Sequence, residues 1–223
     1  MYRIIEGKVY GVLTDFDLSS WRKDLANDYS KTSQQRTGTP PYMAFGMLDE
    51  SEPVHLYRHD VESLFYILLI LTTHYEIQAP GKGKKKTGGL RMRKESEPLP
   101  FHDWFNESSY KALGRFKHSF LSKAEKTHLS PNFQDFGHWV ENLRRSFRLG
   151  LRSQGEHIDR LSEGGDIPRF DNETFGGHVS YSALINPARN LPGKLRGLIV
   201  RYESEPGAPN TASTVTTKTR PLS

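Results

Sequence analysis

Arg58-His59-Asp60-Val61-Glu62-Ser63-Leu64-Phe65-Tyr66-Ile67-Leu68-Leu69-Ile70-Leu71 is the stretch on which the fold turns. Asp60 is placed as an N-cap, and a helix is predicted from Asp60 to Thr73. After its first turn Leu64, Phe65, Ile67, Leu68, Leu69, Ile70 and Leu71 leave almost no polar face. A helix apolar all round has no side for water, so other elements have to wrap it. The run is too brief to cross a bilayer, which takes roughly 18 apolar residues, and polar Thr72, Thr73 and His74 end it.

Before this helix, Arg3-Ile4-Ile5, a tight turn at Glu6-Gly7-Lys8 and the β-branched and aromatic Val9-Tyr10-Gly11-Val12-Leu13 read as a β-hairpin. Leu18 to Gln35 is polar and rich in Ser, Asp and Lys, hence a surface loop or a mobile segment. Thr39-Pro40-Pro41 forces an extended path, because each proline keeps its predecessor out of the helical region. After the helix, Ala79 to Lys94 is Gly- and Lys-rich without periodicity, and a disordered basic loop is expected over about residues 79–97. Two or three further packed helices are expected. Trp104, Phe105, Tyr110, Leu113, Phe116, Phe120 and Leu121 recur at helical spacing, and Phe133, Phe136, Trp139, Val140, Leu143 and Phe147 do so again. Beyond Gly150 the pattern weakens: Asn172 to Tyr181 is turn-like, and Leu195 to Tyr202 reads as a short strand or helix. The division expected is a main domain over 1–150, an extension over 151–202 packing on or beside it, and a disordered tail over 203–223.

A chain of 223 residues with 35% hydrophobic content can build one good-sized core. No cysteine occurs, which excludes disulfides and thiolate metal sites, and the nine histidines form no His-Glu-x-x-His pattern. His55 and His59 stand four apart but have no third ligand at useful spacing. The opening Met1-Tyr2-Arg3 is not the start of an apolar signal core, so the chain is expected to be intracellular, cytoplasmic or nuclear, with no membrane partner. The net charge of +5 is concentrated locally, in Lys82, Lys84, Lys85, Lys86, Arg91, Arg93 and Lys94, with no acid among them. Such a run attracts anions or acts as a nuclear import signal, but no aromatic residues interleave for base stacking. A solvated insertion is therefore preferred to a nucleic-acid interface.

Asp15 is the strongest chemical candidate, because it directly follows a strand that would fix its position. One well-held carboxylate suffices as half of a magnesium–nucleotide site, since Mg²⁺ prefers few carboxylates plus phosphate oxygens and water. Alone, Asp15-Phe16-Asp17 reads as an acidic turn. In company, three segments carry a resemblance. Asp15-Phe16-Asp17 resembles the Asp-Phe-Gly signature of protein kinases, and Gly38-Thr39-Pro40-Pro41-Tyr42-Met43-Ala44 resembles the stretch closing their activation segment. Asp60-Val61-Glu62-Ser63-Leu64 resembles the start of their central helix. With Arg36-Thr37-Gly38-Thr39 and Arg58 to Leu68, the pattern is similar to the fungal-type protein kinases over roughly residues 2–150. Trp104-Phe105, Lys117, Phe120-Leu121, Trp139 and Leu143-Arg144 resemble that group's later helices, and Glu173 to Val179 fits it too.

The resemblance implies a mainly α fold: a protein-kinase-like C-terminal lobe opened by a short N-terminal β-hairpin. It implies ATP and Mg²⁺ as cofactors, with Asp15 as the metal and cofactor ligand, and phosphorylation of protein Ser or Thr as the family activity. Phe16 would pack into the hydrophobic column joining the lobes. Thr39 would lie near the substrate hydroxyl, and the Asp60 carboxylate would accept backbone N–H groups of a catalytic loop. Ser30, Thr32, Ser33 and Thr37 would fall in the activation segment, where a phosphate could order it, or are plain loop residues.

Three departures weigh against catalysis by this polypeptide alone. Asp17 stands where kinases carry glycine, and Phe45-Gly46 replaces Pro-Glu, so the buried ion pair of that glutamate is absent or rebuilt. No counterpart is found for the catalytic-loop aspartate and asparagine, the Gly-rich loop, the strand lysine or its helix glutamate. The expected partners are a protein substrate or the missing N-terminal kinase portion. A pseudokinase-like interaction module is the rival reading.

Overall fold

The structure, a computed structural model, describes residues 2–5, 8–11, 38–49, 54–78, 89–94, 99–164 and 167–188. Strands β1 (Tyr2–Ile5) and β2 (Lys8–Gly11) pair antiparallel, with Arg3 opposite Tyr10 and Ile4 opposite Val9. This is the hairpin read from the sequence. A 3-10 turn (Pro40–Tyr42) then leads into α1 (Phe45–Asp49) and α2 (Tyr57–His74). Strands β3 (Tyr75–Gln78) and β4 (Gly89–Met92) follow, then α3 (Asp103–Asn106) and α4 (Tyr110–Ser122). A second 3-10 turn (Pro131–Phe136) precedes α5 (Gly137–Ser162) and α6 (Tyr181–Ala188). Among the described residues the architecture is mainly helical, with two separate two-stranded antiparallel sheets.

Helix α2 is the centre of the core, but it begins earlier than its sequence pattern predicts. Asp60 is not its N-cap: the helix starts at Tyr57 after Leu56, and Asp60 lies in the first turn. The reason is long-range. Glu173 accepts the Tyr57 N–H on Oε2 at 2.7 Å and the Arg58 N–H on its main-chain oxygen at 3.0 Å, while the Leu56 N–H donates to His59 Nδ1 at 3.2 Å. The orphan donors of the first turn therefore find partners that no local window contains.

Phe65, Tyr66 and Leu69 are fully enclosed. Phe65 stacks with Phe147 at 5.5 Å and Tyr66 meets Trp104 edge-on at 5.2 Å, while Leu48, Leu113, Leu121 and Leu143 complete the cluster. The wrapping is nonetheless one-sided. Leu64 and Ile67, one turn apart, remain 39% and 48% exposed, which corrects the expectation of burial all round. Their apolar character says nothing about which side of the helix the neighbours cover.

The basic loop expected over 79–97 is corrected within its described part: Gly89–Met92 forms β4 and pairs with β3, Tyr75 opposite Met92 and Ile77 opposite Leu90. The alternation of Leu90 and Met92 was masked by the flanking glycines and cations. Helix α4 is capped by Ser109, whose hydroxyl accepts the Ala112 N–H at 3.3 Å. Helix α5 continues through Gly150, where a Cβ would lie 2.5 Å from Phe175 Cβ. Glycine is required there by close approach rather than by its backbone conformation. Phe175, Val179 and Leu184 thereby join the same core, and Trp139 Nε1 donates to the Leu184 carbonyl at 2.7 Å. The expected element at Leu195 to Tyr202 and the tail over 203–223 lie outside the described residues.

Candidate functional site

The segment from Gly38 to Asp49 is held on the helical core by two buried side chains of opposite charge. Gly38 has φ +139, a conformation that favours glycine, and exposed Thr39 leads in extended form into the 3-10 turn, with Pro40 at its first position. Lys117, buried on α4, fastens this turn from beneath. Its ammonium donates to the carbonyls of Pro40 at 3.0 Å, Pro41 at 2.9 Å and Met43 at 2.5 Å, which uses all three of its N–H groups. The same nitrogen sits 4.2 Å from the centre of the Tyr66 ring and 5.2 Å from that of Trp104.

Glu62, buried on α2, holds the next stretch. Its Oε1 accepts the Phe45 N–H at 2.7 Å and the Tyr66 hydroxyl at 2.6 Å. Burial pushes the Glu62 carboxyl up to about 7, opposed by these two donors and by the fields of Lys117 and Arg58. Burial likewise pulls Lys117 down to about 7, opposed by Glu62. Three carbonyl acceptors around the ammonium and two donors on the carboxylate oxygen favour the charged form of each. Glu62 is thus the buried acid of this neighbourhood, and no acid stands at Gly46. A Cβ on Gly46 would meet His59 Nε2 at 3.2 Å and Arg58 Nη2 at 4.0 Å, and the Arg58 guanidinium lies 3.7 Å over the Phe175 ring.

Of the residues singled out in the sequence, Asp15, Phe16, Asp17 and Thr37 lie outside the described residues, as do Ser30, Thr32 and Ser33. Gly38 and Thr39 come together at the exposed entrance of the clamped segment. The Asp60 side chain is 72% exposed and holds His55 Nε2 at 2.9 Å; that bond raises the His55 pKa against partial burial. His59 is pushed down to about 3 by burial and by Arg58, and its ring stacks on His55 at 6.0 Å. Among the described residues no three His, Asp or Glu side chains gather as a metal site.

Sequence reasoning gave no role to Glu62, Lys117 or Glu173. A signal existed for Lys117: it sits between Leu113 and Leu121 at four-residue spacing, on the apolar side of α4. Glu173 gave none, since the Tyr57 N–H that it accepts is 116 positions away. Asp171 Oδ1 accepts the N–H groups of Glu173 and Thr174, and Phe175, Gly176 and Gly177 all have positive φ, so the turn itself aims Glu173 at α2. Glu173→Ala is expected to lower stability by about 1 kcal/mol, the usual loss for removing a helix cap, with Glu173→Gln losing less. The shift in urea midpoint measures it.

Residues 4–72 match the family model for fungal protein kinases. That stretch spans the hairpin, the clamped segment and nearly all of α2. No curated protein and no solved structure matches the chain.

Proposed function

We propose that this chain is the C-terminal part of a fungal-type protein kinase, with Gly38–Asp49 as the peptide-facing end of its activation segment. The family activity is ATP-dependent phosphorylation of protein Ser or Thr. Phosphoryl transfer is mainly positioning and charge neutralisation, so a substrate-facing segment has to be held rigidly. The observation that carries the reading is the Lys117 ammonium on three carbonyl acceptors of that segment, those of Pro40, Pro41 and Met43, just after Thr39. On this reading Asp15 is the magnesium ligand on ATP, Thr39 faces the substrate hydroxyl, and the partners are a protein substrate and the N-terminal kinase portion. The setting is intracellular.

Alone, the 223 residues do not catalyse transfer, because the sequence holds no His-Arg-Asp run with a following asparagine and no Gly-rich phosphate loop. A pseudokinase-like interaction module is the second reading. It is favoured by Gly46 standing in place of the glutamate while the core remains fully packed.

Incubating the purified chain with Mg²⁺, radiolabelled ATP and a Ser/Thr peptide library separates these readings. No incorporation above the protein-free blank is expected. Weak Mg²⁺-dependent nucleotide retention is expected from the chain and lost in Asp15→Ala, whose melting curve stays unchanged. Incorporation that disappears in Asp15→Ala would overturn the inactivity of the isolated chain. Nucleotide retention that survives Asp15→Ala would remove Asp15 as the ligand, and no retention at all would favour the interaction module.

A further inference from the structure

Helices α3 and α4 leave an aromatic groove between them. Phe101, Asp103, Trp104, Phe116 and Ser119 line a volume of about 270 Å³. Asp103 opens α3, and Phe116 and Ser119 stand about one turn apart on α4. Trp104 is buried as the floor, Phe101 is half-buried, and Asp103, Phe116 and Ser119 are exposed at the rim.

The floor of this groove is pinned. Phe101 has φ +63, a left-handed conformation that a large side chain keeps only where its surroundings over-determine it. Its ring lies 4.8 Å from that of Trp104 and meets Phe120 edge-on at 5.0 Å, and its carbonyl accepts the Trp104 N–H at 3.0 Å. His74 Nε2 donates to the preceding Pro100 carbonyl. The Asp103 carboxylate, by contrast, has neither an ion pair nor a hydrogen-bond donor among the described residues. The buried Lys117 ammonium, 5.2 Å from the Trp104 ring, is committed to its three carbonyls and makes no pair with Asp103.

We infer that the groove takes the cationic head of a lysine or arginine side chain presented by another polypeptide. Aromatic rings attract a cation through their quadrupole, and the free carboxylate at the rim supplies the countercharge. An anion, nucleic acid included, would be repelled by Asp103. A wholly apolar side chain would fill the space but strip water from the carboxylate without replacing it. Small-molecule sites enclose most of their ligand, whereas three of the five residues here are exposed at the rim, so further contact has to come from the chain that carries the cation. Phe105, next to Trp104, meets Tyr42 of the clamped segment edge-on at 6.1 Å. The groove therefore adjoins the segment that faces substrate on the kinase reading, although its preference for a cation does not rest on that reading.

Titrating the full chain with the end-capped tripeptides Gly-Lys-Gly and Gly-Arg-Gly, against the neutral norleucine counterpart, tests this in proton–nitrogen correlation spectra. No nucleotide is present, so the result is separate from that of the nucleotide-retention assay. Saturable shifts of the Phe116 and Ser119 amides are expected with the two cationic peptides, at an affinity about tenfold above that of the norleucine peptide. Asp103→Asn should lower the affinity for the cationic peptides by about tenfold, and Phe116→Ala by about fivefold. Both positions are exposed, and unchanged shifts elsewhere in the spectrum check that each variant stays folded. Equal affinity for the norleucine peptide overturns the proposal and leaves the groove a plain apolar one. So does the absence of any shift, or full retention of cation binding in Asp103→Asn. The same amides shifting with protein concentration alone would assign the groove to a second copy of the chain and overturn it as well.

Discussion

Leu69→Asp is expected to abolish the cooperative thermal transition, whereas Ile67→Asp, two residues away on the same helix, is expected to leave the melting curve within about 1 kcal/mol of the parent. Leu69 is fully enclosed, while Ile67 is 48% exposed. A carboxylate at position 69 would be buried without a partner, at a cost of several kcal/mol, which is comparable to the roughly 5–15 kcal/mol stability of a whole domain. At position 67 the carboxylate can reach water. Circular dichroism melts of the two variants side by side decide the matter, and equal effects would mean that α2 is enclosed on all sides or on none.

Lys117→Met carries the second large effect. Methionine preserves the length and most of the packing, but three carbonyls lose their donor and Glu62 loses a buried countercharge. Breaking a buried charge pair by removing one partner costs about 3–5 kcal/mol, to be read from the urea midpoint at constant slope. Adding Glu62→Gln should cost less in this background than alone, with a coupling on the order of 1 kcal/mol.

The pH dependence of Lys117→Met has a definite sign. Burial raises the folded pKa of Glu62 above its unfolded value, and removing the Lys117 field raises it further. The folded state then binds the proton more tightly, so the Glu62 contribution is fully present below the unfolded value of 4.5 and is lost as pH rises through about 7 and above. Stability of Lys117→Met should therefore fall between pH 5 and 8, and Glu62→Gln in that background should flatten the fall. A flat profile with Glu62 intact would show that this carboxylate does not titrate in the core.

The N-terminal hairpin, a long apolar helix near residue 60, helices at the two aromatic clusters and a turn around 172–181 were legible because local period and turn chemistry encode them. The kinase resemblance was legible too, and its part over residues 4–72 is met by the family match. The start of α2, the strand at Gly89–Met92 and the roles of Glu62, Lys117 and Glu173 were not. Asp60 is a good N-cap by residue type, yet the helix starts where Glu173 supplies acceptors, and Leu90 and Met92 are too few to show a period among glycines and cations.

Residue order alone settled that a mainly helical core would form around the Val61–Leu71 run, since apolar periodicity is a property of neighbouring positions. Only tertiary packing decided which side of that helix stays wet, which lysine and which glutamate become enclosed, and what they hold. Those outcomes depend on groups 17, 77 and 116 positions apart meeting in space, and no local pattern encodes such distances.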